Sequence, residues 1–298
     1  MIRLLYDVHH QVTFGWLISI YFYFTGLSAG SFIISTMSYG FGMKLYKPIA
    51  KTAVVTATLL LCLAPVALIL QVGWPIRSIW NHFVYLNPSS PMTYGAFLLV
   101  LYPINCIFYM MYMFRGDFNK TRILGLVGIP LAISVHGYTG FILAFGKARA
   151  YWNTALMPTL FLVSAIVSGI ALMILIVIVK QRYMSEERKI NWAIINGLAK
   201  IFGWMVIVDL FLTFCDLTVL SISHDKAQQM TWLILGGKFA PLFIFVENVF
   251  GKIIPMLICL VPSLRRPNLV ILACVMNVTG ILAMRYITVF GGQFLPLM

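Results

Sequence analysis

The 298-residue chain is 61% hydrophobic and only 10% charged, with a mean hydropathy of +0.94. A soluble domain carries about 25% charged residues, so this balance excludes a soluble globular protein and points to an integral membrane chain. The formal net charge of +13 is read below as a topology signal rather than as nucleic-acid affinity.

A helix crosses a ~30 Å hydrocarbon core with about 20 residues. Eight apolar stretches of that order are expected as spans, at about 14–39, 50–72, 92–114, 123–145, 154–179, 193–222, 231–262 and 268–290. Backbone groups in lipid must be satisfied within the segment, so the predicted fold is all-α. The runs lack the short alternating pattern of a β-barrel. The expected architecture is an eight-helix bundle, arranged as two four-helix sub-bundles, forming one integral membrane domain over 1–298. Residues 1–13 are too short and polar for a cleaved signal peptide, so the first span is expected to target and anchor the chain.

The basic residues set the orientation. Lys44, Lys47, Lys51, Arg115, Lys120, Arg122, Lys180, Arg182, Arg188, Lys189, Arg265 and Arg266 fall on one side. Arg3, Arg77, Lys147, Arg149 and Lys226 fall on the other. The positive-inside rule places the first set in the cytoplasm and both termini outside. The expected location is a bacterial or archaeal cytoplasmic membrane.

The cysteines, Cys62, Cys106, Cys215, Cys259 and Cys274, all lie in predicted spans and form no CxxC pair. They read as small buried apolar residues, with no iron–sulfur ligand set in this chain. Of His9, His10, His82, His136 and His224, only His136 lies in a span. A membrane b-type haem needs paired axial ligands, so no haem and no metal are expected here. Electrons, if handled, must pass to a partner on one side.

Asp209, Asp216, Lys238, Glu247, Lys252 and Arg285 lie inside or at the rim of the spans. Charges in hydrocarbon are costly and mark function by default. At 1.5 Å per residue, Tyr21 lies about 10 Å in from the outer end of the first span. His136, Tyr138, Asp216, Lys238 and Arg285 are expected at similar depth, with Asp209 and Glu247 nearer the midplane. Asp209 and Asp216 are two turns apart, on one helix face. A polar outer pocket above a carboxylate track suits a ligand that exchanges protons. Each residue also has a structural reading: aromatic belt for the tyrosines, snorkelling for Lys252, an ion pair of Arg285 with Asp216, and a satisfied core histidine for His136. Gly26 and Gly30 read as a small-residue packing stripe. The loop Gly73–Pro91, with Trp74, Trp80, His82 and Tyr85, reads as a docking platform or an interfacial belt.

Four segments carry a resemblance. They are GWLISIYFYFTGLSAGSFI (Gly15–Ile33), LNPSSPMTYGAFLL (Leu86–Leu99), VHGYTGFILAFGKARAYWNTALMPTLFLVSAIVSG (Val135–Gly169) and RYITVFGGQ (Arg285–Gln293). In order and spacing the chain resembles the NrfD/PsrC family, the membrane subunits of polysulfide-reductase-type complexes. The resemblance implies a menaquinone or ubiquinone site near the outer face. It also implies an extracytoplasmic partner carrying [4Fe–4S] clusters, joined to a molybdopterin or multihaem catalytic subunit, with quinol oxidised and electrons sent outward. Aligned on Trp152–Asn153, Tyr138 falls on the family's quinone-contacting tyrosine and Gly140 on the glycine beyond it. Aligned on Gly26–Leu27, Tyr21 stands where a polysulfide reductase has a histidine and Ile18 where it has an asparagine. Tyr21 retains a hydroxyl donor; Ile18 does not. Asp216, His136, Asp209 and Glu247 are the candidates for proton transfer, with Arg285 among the catalytic candidates. The alternatives are a proton- or cation-coupled secondary transporter, which would show matched interrupted helices in two repeats, and a passive membrane anchor.

Overall fold

The computed structural model describes residues 14–72, 74, 80, 84–183 and 191–295. Arg3, His9, His10, Arg77, His82, Arg188 and Lys189 lie outside the described residues. The helices are α1 (Trp16–Tyr39), α2 (Lys47–Val72), α3 (Pro91–Arg115), α4 (Phe118–Ala144), α5 (Met157–Tyr183), α6 (Trp192–Ile222) and a short α7 (Asp225–Leu235). Then come α8, which is π-wound over Pro241–Ile253 and α-helical over Ile254–Leu260, and α9 (Pro267–Tyr286). A second π turn, Ile287–Gly291, continues α9. All except α7 are long and apolar enough to span, giving eight candidate membrane spans and no strand among the described residues.

The polarity is that of a membrane protein. Leu59, Leu63, Phe211, Phe214, Phe245 and Phe250 are exposed, while Ser19, Ser28, Ser31, Ser35, Asn105 and Asn277 are buried. Without water to drive association, buried hydroxyls and close backbone approach hold such helices together. In α1, Ser28 donates to the carbonyl of Ala57 at 2.7 Å and Ser35 to that of Ala50 at 2.9 Å, tying α1 to α2. Ser35 also meets the Tyr109 hydroxyl of α3 at 3.1 Å. Gly30 faces Gly169 of α5 so closely that a Cβ on Gly30 would stand 2.5 Å from the Ala165 carbonyl oxygen. One apolar cluster joins α1–α4 around Phe32, Leu61, Tyr109 and Val135. Another joins α5, α6, α8 and α9 around Ile174, Phe202, Ile258 and Ala273.

The turn from α3 to α4 is set locally. Gly116 closes α3 at φ +80°, a conformation glycine takes without Cβ strain. Asp117 then caps α4 by accepting from the Lys120 amide at 3.2 Å.

The seventh span departs from expectation. Instead of one helix over 231–262, the polypeptide makes α7, breaks at Gly236–Gly237 and re-enters at Pro241, a residue suited to a helix start. Lys238 therefore sits in a turn over the Phe294 ring, 5.3 Å from its centroid, and not within the span.

Both described ends of the polypeptide lie at the same end of the bundle. The Phe14 amide donates to Gln293 Oε1 at 2.8 Å, and Gln293 Nε2 donates to the Phe14 carbonyl at 2.9 Å. The α4–α5 loop is clasped there as well. Arg149 donates to the carbonyls of Gln293 and Leu295, and Trp152 Nε1 to that of Thr288 at 2.7 Å.

Candidate functional site

Two polar centres are buried within the bundle. The first is built on α1, α3 and α4. Tyr21 is buried, its hydroxyl has no hydrogen-bond partner, and Tyr138 is near enough to act on it electrostatically. The Tyr138 ring lies against Gly95 of α3, where any side chain would collide with it. His136 is two residues from Tyr138, about 200° around the helix, so the two point to different sides. His136 is buried with neither ring nitrogen partnered, and it lies in the field of the Arg285 guanidinium. Gly140 makes room for backbone: a Cβ there would stand 2.6 Å from Pro158 Cα. Ile18 is buried in the same cluster as Tyr21, Trp152 and Phe161.

Arg285 is 1% exposed, stacks over the Phe161 ring at 3.9 Å, and donates from Nη2 to Ser164 Oγ at 2.7 Å and to the Phe161 carbonyl. Its Nε and Nη1 have no partner. The expected contact with Asp216 is not made: among the described residues no ion pair joins them.

The second centre is a buried ion cluster. Lys252 Nζ lies 3.0 Å from Asp209 Oδ2 and 3.0 Å from Glu247 Oε1, and donates to Thr213 Oγ1 at 3.0 Å. The snorkelling reading of Lys252 is therefore wrong, since its side chain is fully buried. π winding produces this contact. In an α-helix, neighbours are three or four residues apart, so residues 247 and 252 would not meet. With i→i+5 winding they share a face. Asn248 donates to the Phe243 carbonyl, also five residues away, at 2.8 Å. Pro255 has no N–H to give the carbonyl four residues earlier. That carbonyl, on Gly251, instead accepts from Asn277 Nδ2 of α9 at 2.6 Å.

Asp216 stands apart from this cluster. It is 6% exposed, faces the Thr154 hydroxyl and has Oδ1 unpartnered. Asp216 and Glu247 line one small cavity with Tyr151, Thr213, Met157 and Thr288. The Tyr151 hydroxyl, in the α4–α5 loop, is pushed up by burial and by the two carboxylates near it. Among the described residues no three His, Cys, Asp or Glu side chains come together as a metal ligand set.

Tyr21 and Tyr138 influence each other electrostatically, His136 lies in the field of Arg285, and Asp216 and Glu247 line a cavity with Met157. Sequence reasoning did not find the pairing of Lys252 with two carboxylates. The i,i+5 spacing of Glu247 and Lys252 upstream of Pro255 was the available signal.

Comparison with known proteins agrees with this architecture. The family profile for "Polysulphide reductase, NrfD" matches residues 6–296, and the chain belongs to that family. It is 29% identical to the Hdr-like menaquinol oxidoreductase integral membrane subunit of Archaeoglobus fulgidus, over 92% of this chain and 69% of the relative. It is 28% identical to a subunit of the selenate reductase of Mesobacillus selenatarsenatis, over 95% of this chain and 75% of the relative. It is 24% identical to a component of the polysulfide reductase of Wolinella succinogenes, over 96% of each.

Proposed function

We propose that this chain is the quinol-oxidising membrane subunit of a respiratory oxidoreductase complex. The observation that carries this reading is the buried, unpartnered hydroxyl of Tyr21, within electrostatic reach of Tyr138 and near the end of the bundle where Phe14 meets Gln293. A buried hydroxyl without a partner costs about 1–3 kcal/mol, and a carbonyl or hydroxyl oxygen of menaquinone or ubiquinone satisfies it. The name of the menaquinol oxidoreductase relative supports the same ligand class.

In this reading Tyr21 and Tyr138 hold the quinone oxygens by hydrogen bonds. A quinol bound there supplies two electrons and two protons. Gly95 leaves space for the Tyr138 ring, and Gly140 acts by letting α4 close on the Met157–Pro158 backbone rather than by touching the ligand. His136, with both ring nitrogens unpartnered beside Arg285, can pass a proton on but does not hold it, since a second cation there is disfavoured. Asp216, Glu247 and Asp209 continue the proton path, and Arg285 supplies positive charge between the two centres.

The termini face the extracytoplasmic side of a cytoplasmic membrane, and two four-helix sub-bundles meeting on α1 and α5 form a single domain. An iron–sulfur subunit docks on that face and passes electrons to a molybdopterin or multihaem catalytic subunit. Exposed Trp74, Trp80 and Tyr85 support docking there, since aromatic residues anchor interfaces. A transporter built on repeats would interrupt corresponding helices in both halves. Among the described residues the π segments, at Pro241–Ile253 and Ile287–Gly291, both fall in the second half.

The test is anaerobic oxidation of a menaquinol analogue by the purified complex, read as reduction of the partner's clusters. Tyr138→Phe is expected to slow cluster reduction about tenfold, the loss of ~1.4 kcal/mol of hydrogen bonding, with assembly intact. Unchanged rates in Tyr138→Phe and Tyr21→Phe would remove the tyrosine pair from the reaction.

A further inference from the structure

Five carboxylate, ammonium or guanidinium side chains are buried within the spans among the described residues: Asp209, Asp216, Glu247, Lys252 and Arg285. Three are acids and two are bases, so their charges do not cancel. Among the described residues neither base pairs with the third acid. Lys252 contacts both Asp209 and Glu247 at 3.0 Å, and the field of Arg285 falls on the same two carboxylates. His136 does not supply the missing positive charge. It touches no carboxylate and lies in the field of the Arg285 guanidinium, where a second cation would be repelled.

Asp216 is the acid left over. The groups facing it are the Thr154 hydroxyl and Tyr151 from the α4–α5 loop, Glu247 from α8, Thr288 from the π turn after α9 and Thr213 from its own helix. None is a cation. An ionised carboxylate taken out of water without a partner is so costly that the group neutralises instead. Oδ1 of Asp216 is unpartnered, and the cavity it shares with Glu247 has room for one water molecule.

We propose that Asp216 is a proton-loading site. It carries a proton in the resting protein and exchanges it with Glu247 through a single water in the shared cavity. In the exchange, the Asp216 carboxyl O–H breaks and its proton passes to the water. The water in turn gives a proton to a Glu247 carboxylate oxygen. The negative charge moves from Glu247 to Asp216, and Lys252 keeps Asp209 as its partner. The site lies beside the Tyr151 loop at the termini end. Its use in turnover rests on the quinol reading above, but the resting proton does not.

The test is infrared absorption of the purified complex in H₂O and D₂O, read in the protonated-carboxyl C=O region. Wild type is expected to show a carboxyl band that shifts on deuteration and is lost in Asp216→Asn, while Asp216→Glu retains a band at a displaced frequency. Tyr138→Phe is expected to keep the band even where cluster reduction is slowed. A band present with no quinol oxidation would reject the quinol reading and leave the proton site standing. A wild-type band that survives Asp216→Asn, or no band at all in a complex that oxidises quinol, would overturn the proposal. If Asp216→Asn does not assemble, an undisplaced band in Asp216→Glu would overturn it equally.

Discussion

Lys252 shows how far the meaning of one residue depends on its neighbours. Two carboxylates converge on its ammonium group at 3.0 Å, inside a bundle whose outer surface is apolar. Removing one partner from a buried pair leaves an uncompensated charge and costs about 3–5 kcal/mol, while replacing all the partners together is often tolerated. Lys252→Met is therefore expected to lower the thermal midpoint of the detergent-solubilised complex sharply. Lys252→Met combined with Asp209→Asn and Glu247→Gln should recover most of that loss. Equal midpoints for wild type and the single variant would show that the cluster is not a charged pair. Glu247 and Asp209 were legible in the sequence as unusual, because an acid in an apolar run stands out. Their shared partner was not, because α-helical spacing separates residues 247 and 252 and only the π winding brings them together.

At the scale of the helix, glycine position decides which contacts form. The α1–α5 seam closes at Gly30 and Gly169, where backbone meets backbone and neither helix can yield. A methyl group there must push the helices apart, and overpacking of this kind costs about 1–3 kcal/mol. Gly137 of α4 has nothing within 4 Å of its missing Cβ. Gly169→Ala should thus lower the unfolding midpoint, and Gly137→Ala should hold or raise it, since alanine is favoured over glycine in a helix by up to ~1 kcal/mol. The reverse order would place the inter-helix contact elsewhere. Hydropathy located the helices well because span length is fixed by the membrane. It failed at 231–240, where residues apolar enough to continue a span are diverted by Gly236–Gly237 and by Pro241 into a separate short helix.

Across the described residues, Phe14, the segment Thr288–Leu295 and the α4–α5 loop converge at one end through Gln293, Arg149 and Trp152. No periodicity in the sequence reports contacts between positions nearly 280 residues apart, so this convergence was not legible in it. Exposed Trp80 is the proposed anchor for the iron–sulfur partner. An aromatic hot spot contributes about 2 kcal/mol or more, so Trp80→Ala should release the partner during purification while the eight-span bundle stays folded. Full retention would move the interface away from this loop. The tyrosine pair remains the centre of the account, and a photoreactive menaquinone analogue crosslinked to the intact complex tests it most directly. Peptide mapping is predicted to find the label on the segments containing Tyr21 and Tyr138. Label confined to the cavity of Asp216 and Glu247, with both tyrosine segments unmodified, would contradict it.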